Sequence, residues 1–176
     1  MKFVELPLKD SFLVEPERHT DARGYFARTF CADEFAAHGL ASALVQCSTS
    51  FNVRRGTLRG MHFQKAPYEE EKLVRCTRGA VFDVVLDLRP DSATFRQWRS
   101  FELSVQNGCA LYVPKGFAHG FQALTDDAEV FYQMAQHYRP EAASGVRWDD
   151  PIFGIEWPIL PPILSEKDAG FGNFSY

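Results

Sequence analysis

No Cys-x-x-Cys pair occurs in this sequence; its four cysteines, Cys31, Cys47, Cys76 and Cys109, stand far apart. That spacing argues against a zinc knuckle or a disulfide framework, and reduced thiols in a cytosol fit it better. No stretch approaches the roughly 18 apolar residues that a membrane span needs. Charge interrupts the N-terminal run Met1-Lys2-Phe3-Val4-Glu5-Leu6, so it does not read as a signal peptide. A basic excess is missing too, since 19 Lys and Arg face 23 Asp and Glu for a net charge of -4. A general nucleic-acid binder is therefore excluded, whereas a small anion held by local arginines is not. Internal repeats, low-complexity segments and linkers are all lacking. The 176 residues read as one domain, 1–176, of a cytoplasmic protein with no membrane attachment.

What is present is packing material in short pieces. Hydrophobic residues make up 45% of the chain, and 16 residues are Phe, enough for a sizeable core. Phe3 to Val14 reads as two extended pieces broken by Pro7, and Gly24 to Phe30 as a strand leaving the turn at Asp21. One short helix is predicted from Asp33 to His38, with Asp33 as N-cap and Gly39 as the stop. A strand is expected to begin at Leu44, ahead of the polar run Ser48-Thr49-Ser50 and a solvated tip at Arg54-Arg55. Glu69-Glu70-Glu71 reads as an exposed loop opening the strand from Lys72. In Val81 to Leu88, Phe82, Val84, Leu86 and Leu88 share one face and Asp83 and Asp87 the other, which predicts a half-buried strand. Further strands are expected at Trp98–Leu103, Ala110–Val113, Phe117–Ala123 and Val130–His137. Short strands at this spacing point to an all-β sandwich or barrel. From Tyr138 the chain turns irregular but stays aromatic, so it should pack back onto the barrel, with a short helical turn starting at Ser165.

The stretch Gly56-Thr57-Leu58-Arg59-Gly60-Met61-His62-Phe63-Gln64 concentrates chemistry on a strand-like segment. Strict alternation puts Leu58, Gly60 and His62 on one face, but a bulge at Gly60 would re-aim them. Arg54, Arg55 and Arg59 fall within six positions, a grouping that suits a diphosphate. By base rate, each arginine is more often a solvated charge, and a lone histidine more often a satisfied structural group.

Two longer patterns resemble the signatures of the cupin superfamily, a small jelly-roll barrel. Gly56 through His62 to Gly79 resembles the first, and Gly108 through Pro114-Lys115-Gly116-Phe117-Ala118-His119 the second. Where metal-binding cupins carry a second histidine and a glutamate, this chain has Gln64 and Lys72. A lysine repels a divalent ion, so His62 and His119 are left as a poor site and a metal-free barrel is expected. His62 and Lys72 in one pocket pair a base with a cation able to hold a developing oxyanion. Tyr132 becomes a proton donor if it points inward. Base, acid and oxyanion stabiliser are what removing and returning a proton beside a ketone requires.

At greater length, the chain resembles the dTDP-4-dehydrorhamnose 3,5-epimerase family from about Asp21 to Asp168. The likeness is carried by Arg23-Gly24-Tyr25-Phe26, Leu58 to Gln64, Lys72-Leu73-Val74-Arg75, Val113 to Phe121, Gly145 to Pro151 and Leu164-Ser165-Glu166-Lys167-Asp168. The resemblance implies a cupin-type jelly roll with one or two short helices, working as a homodimer without metal or cofactor. It implies His62 as general base oriented by Asp168, Tyr132 as acid and Lys72 on the C4 oxygen. Arg23, Gln46, Arg59, His119 and Lys167 match substrate-binding positions, and Tyr138 an aromatic that stacks on the nucleotide base. The implied reaction inverts C3 and C5 of dTDP-4-dehydro-6-deoxy-D-glucose.

Three departures fall on binding positions. Arg28 stands where the family often has glutamate, Cys47-Ser48 where it has Asp-Asn, and Ala143 where it commonly has a carboxylate. Another nucleotide sugar, inversion at a single carbon and a non-catalytic nucleotide-sugar binder are the alternatives these departures keep open. A metal cupin would need ligands that Gln64 and Lys72 do not supply, and a sugar 3,4-ketoisomerase is not expected to carry His62, Tyr132 and Asp168 together.

Overall fold

The computed structural model describes residues 1–175. In chain order the strands are β1 (Lys2–Glu5), β2 (Phe12–Glu15), β3 (Arg18–Asp21), β4 (Gly24–Ala27), β5 (Gln46–Asn52), β6 (Leu58–Gln64) and β7 (Lys72–Arg78). They continue with β8 (Ala80–Asp87), β9 (Trp98–Ser104), β10 (Ala110–Val113), β11 (Phe117–Ala123), β12 (Ala128–Met134) and β13 (Ala143–Gly145). Helix α1 (Ala32–Ala37) and helix α2 (Glu166–Ala169) complete the described elements. Neither helix is long and apolar enough to cross a membrane.

Two antiparallel sheets face each other. One runs β1-β2-β10-β7-β12-β5 and the other β13-β6-β11-β8-β9. This is the expected jelly-roll arrangement, and β3 with β4 forms a separate hairpin. Between the sheets Val74, Val81, Val85, Leu103, Leu111, Phe121 and Val130 form the main core. The outer face of the second sheet is covered by the C-terminal segment, with Val146, Phe153, Ile155 and Trp157 on Leu58, Met61, Val84 and Leu86. The outer face of the first carries Phe35 and Leu40 against Leu73 and Tyr112. Each fully buried aliphatic or aromatic side chain stabilises by about 1.5–3 kcal/mol.

Covering both outer faces changes the reading of β8. Asp83 and Asp87 share a face, as the alternation predicted, but that face is the barrel interior and both are 0% exposed. The carboxylates are tolerated there because they are paired. Asp87 accepts from Arg89, Ser92 and Thr94, and Asp83 meets His119.

Several boundaries differ from expectation. Helix α1 has Cys31 as N-cap, without a side-chain cap bond, and Asp33 and Glu34 sit in its first turn. Strand β5 begins at Gln46 and takes in Ser48-Thr49-Ser50, because it is an edge strand whose partner β12 supplies the backbone ladder. Strand β12 ends at Met134 rather than His137, and β13 was not foreseen. Its three residues pair with Phe63 and its neighbours on β6 and draw the tail to the barrel mouth. Gln122 is buried and pins the tail further on, its amide donating to the Ile159 carbonyl and accepting from the Ile159 N–H.

The bulge expected at Gly60 is present. Against β11, His62 faces His119 but Arg59 faces Phe121, so β6 holds one residue more than its partner there. Alternation resets across it, and Leu58, Met61 and Phe63 all pack beneath the tail. His62 is thereby left facing inward. Glycine is needed at this crossing, since a Cβ on Gly60 would lie 2.6 Å from Gly120 Cα.

Candidate active site

A cavity of about 280 Å³ opens at one end of the barrel. Gln46, Ser48, Tyr132, Met134 and Lys72 line it from the first sheet, and His62, Gln64, Ala143 and Ser144 from the second. Glu70, Tyr138 and Lys167 complete the wall from connecting segments and α2.

His62 Nε2 lies 2.6 Å from Asp168 Oδ1, joining groups 106 residues apart in sequence. Asp168 is nearly buried, and its other oxygen accepts from the Gly60 N–H at 3.3 Å. Its own N–H donates to Ser165 Oγ at 3.1 Å, so the N-cap of α2 fixes the carboxylate's backbone. Burial pushes this carboxyl up, but the His62 bond and charge, the Gly60 N–H and Lys167 together outweigh burial and hold it below the ordinary aspartate range. An ionised Asp168 requires the proton on His62 Nε2. In the neutral ring, Nδ1 is then the free acceptor.

Tyr132 projects from the opposite sheet, on β12. Burial, and then the Asp83 carboxylate, drive its phenol far above the ordinary tyrosine range, with Arg59 opposing. The phenol therefore stays protonated at neutral pH. Beside it, His119 stands edge-on with ring centroids 6.1 Å apart. The His119 imidazole is itself 2.9 and 3.0 Å from the two Asp83 oxygens. Burial pushes the Asp83 carboxyl up, against His119 and Lys72.

Lys72 enters the cavity from the first residue of β7, its Nζ 2.7 Å from Glu70 Oε1. Gln46 accepts from the Tyr138 N–H, which fixes the backbone beneath that exposed ring. Gln64 spends its amide on structure, donating to the Tyr68 and His137 carbonyls and accepting from the Arg139 N–H.

Of the residues singled out in the sequence, the cavity gathers His62, Tyr132, Lys72, Gln46, Tyr138 and Lys167, with Asp168 directly behind His62. Three are not on its wall. His119 is buried behind Tyr132. Arg59 crosses to β5, where its Nε donates to Asn52 Oδ1 at 2.7 Å. Arg23 sits on the β3–β4 turn, paired with Asp21 and largely exposed. Sequence reasoning missed Asp83, placed with Asp87 on the face opposite the apolar residues of a half-buried strand, and Glu70, assigned to an exposed loop. Only the position of Glu70 two residues before Lys72 hinted at its place, since alternate residues of an extended chain share a side.

The model of the family described as dTDP-4-dehydrorhamnose 3,5-epimerase matches residues 5–175. A relative of that name from Methanothermobacter thermautotrophicus is 45% identical over 173 residues, covering 97% of this chain and 92% of the relative. The Bacillus anthracis enzyme of that name, solved with TDP and PPi bound, superposes with a TM-score of 0.95 at 40% identity, covering 98% of this chain and 99% of that one. A Legionella pneumophila dTDP-6-deoxy-D-glucose-3,5-epimerase, solved with dTDP-4-keto-L-rhamnose, gives a TM-score of 0.89 at 35% identity, covering 96% and 89%. Full-length identity at this level, on the same barrel, places the chain in the dTDP-4-dehydrorhamnose 3,5-epimerase family.

Proposed function

We propose that this chain is an isomerase that converts dTDP-4-dehydro-6-deoxy-D-glucose to dTDP-4-dehydro-L-rhamnose by inverting C3 and C5. The observation that carries the reading is the placement of His62 and Tyr132 on opposite sheets of one cavity. A sugar ring lying between them would meet a base on one face and an acid on the other. Removal from one face and return to the other is inversion.

The 4-keto group makes the hydrogens on C3 and C5 acidic, because the resulting negative charge moves onto the C4 oxygen. His62 Nδ1 takes the proton, and the adjoining carboxylate of Asp168 stabilises the imidazolium. Lys72 donates to the C4 oxygen as it becomes an enolate, in a cavity where a fixed charge counts for more than in water. Tyr132, held protonated by burial and by Asp83, delivers its proton to the opposite face. The carbon of the enolate is far more basic than a phenolate, so even a weak phenol acid transfers downhill. Between the two inversions His62, 39% exposed, returns its proton to water, and the Tyr132 phenolate, on the wall of the same open cavity, takes one back from water. Tyr138 offers an exposed ring to the thymine, and Lys167 an ammonium to the diphosphate.

The protein is further proposed to act in the cytoplasm as a homodimer, joined through the β3–β4 hairpin. Tyr25 and Phe26 on that hairpin are 55% and 73% exposed, apolar surface that a second copy would cover. Arg23, at its tip, would then be carried towards a phosphate. Light scattering should give twice the chain mass, and Phe26→Asp should give the chain mass; a wild-type monomer would refute the assembly.

Incubation with dTDP-4-dehydro-6-deoxy-D-glucose, followed by reduction of the keto group and sugar analysis, should yield the L-rhamno product. His62→Ala should slow its formation by about 10²–10⁴-fold, the usual worth of a placed general base. Unreacted substrate with wild-type protein would sink the proposal.

The carboxyl of Asp168 is lower in the folded chain than the roughly 3.9 of an unfolded aspartate. Its contribution to stability is thus fully present above that value and is lost as pH falls through the lower, folded one. Urea midpoints of Asp168→Asn should lie below wild type at pH 7, and the gap should close below about pH 4. A gap independent of pH would show that the carboxylate charge is not what stabilises.

A further inference from the structure

We infer that Glu70 is a positioning residue for Lys72, a role that rests on the epimerase reading above. The two side chains meet at 2.7 Å inside the cavity, each only 12% exposed. A carboxylate there is electrostatically out of place. The cavity is proposed to stabilise negative charge on the C4 oxygen, and an anion beside that oxygen opposes it. Its presence calls for a compensating role, and the geometry supplies one.

Lysine carries the largest rotamer freedom of the cavity's charged groups, and an ammonium free to wander stabilises an oxyanion poorly. Glu70 pairs with the ammonium as an ion on one side and leaves the donors on its other side for the substrate. The carboxylate can serve as a fixed point because its own segment is clamped on both sides. Upstream, the Tyr68 carbonyl accepts from the Gln64 side chain at 3.0 Å. Downstream, the Glu71 carbonyl accepts from the Ala135 N–H at 3.0 Å. Lys72 is fixed at its other end by β7, in register with Met134 on β12 and Val113 on β10. Glu70 and the β7 backbone therefore hold the lysine from both ends. Its ammonium stays where the C4 oxygen will arrive, and no reorganisation is needed when charge develops.

Glu70→Ala, Glu70→Gln, Lys72→Met and the double variant Glu70→Ala/Lys72→Met test this. Glu70→Ala should lower kcat about tenfold, while the Kd for dTDP, which lacks the sugar, moves less than about twofold. Glu70→Gln should recover less than half of the loss, because its amide keeps the shape of the side chain but not the charge that pairs with Nζ. In the Lys72→Met background, removing Glu70 should change kcat less than about twofold, since the residue acts through the lysine. An equal loss in both backgrounds, or a rise in kcat on Glu70→Ala, would overturn the inference. A second readout does not need turnover. The ¹⁵N–¹H signal of the Lys72 ammonium, assigned by its loss in Lys72→Met, should be visible in wild type, weaken in Glu70→Gln and vanish in Glu70→Ala. If wild type turned nothing over, the epimerase reading would fail while this signal still decided the pairing; a signal unchanged in Glu70→Ala would refute it.

Discussion

The working end of this barrel depends on one hydrogen bond, from His62 Nε2 to Asp168 Oδ1 at 2.6 Å. Its two ends lie on elements that have little else in common, a central strand and a single helical turn close to the C-terminus. The bulge at Gly60 turns His62 inward, and the same glycine's N–H donates to Asp168. Ser165 anchors the carboxylate's backbone, and the apolar tail from Val146 to Trp157 carries α2 to the place where it is needed. Much of the outer core thus serves to deliver a carboxylate to one imidazole. That carboxylate fixes which ring nitrogen is free, and the free nitrogen is the one proposed to act as the base.

A second constraint is the density of charge inside the barrel. Asp83, His119, Tyr132 and Lys72 sit where a plain jelly roll would hold only aliphatic side chains. An unpaired carboxylate there would cost several kcal/mol, and bonding of both Asp83 oxygens to His119 offsets that cost. Asp83 also raises the phenol of Tyr132, and Lys72 favours the ionised form of Asp83 against the burial that opposes it. The groups proposed as acid and oxyanion holder are therefore coupled through a buried anion that faces neither solvent nor the cavity.

Local signals carried most of the fold. Period-two alternation and turn residues located most of the strands, Gly60 announced its bulge, and Ser165 its helical turn. They failed where tertiary partners override propensity. Ser48-Thr49-Ser50 is strand because β12 offers it a ladder, and β13 is strand because the edge of β6 does. Alternation correctly grouped Asp83 with Asp87, yet a period has no direction and cannot say which face is inside. For the site, His62, Tyr132, Lys72 and Asp168 were legible only as a set of resemblances, since no spacing rule links residues 106 apart. Glu70 was illegible for a different reason: three successive glutamates look like solvent-facing charge, and only the clamped path of the loop turns the middle one inward.

The central claim is that base and acid address opposite faces of one sugar ring, and exchange in D₂O with Tyr132→Phe tests it most directly. Wild type should place deuterium at C3 and C5 of the L-rhamno product. The variant keeps His62 and Asp168, so it should still wash deuterium into recovered D-gluco substrate at carbons next to the ketone, with inversion slowed by about 10²-fold or more. Inversion at the wild-type rate in Tyr132→Phe, or loss of exchange together with loss of inversion, would contradict a two-sided mechanism.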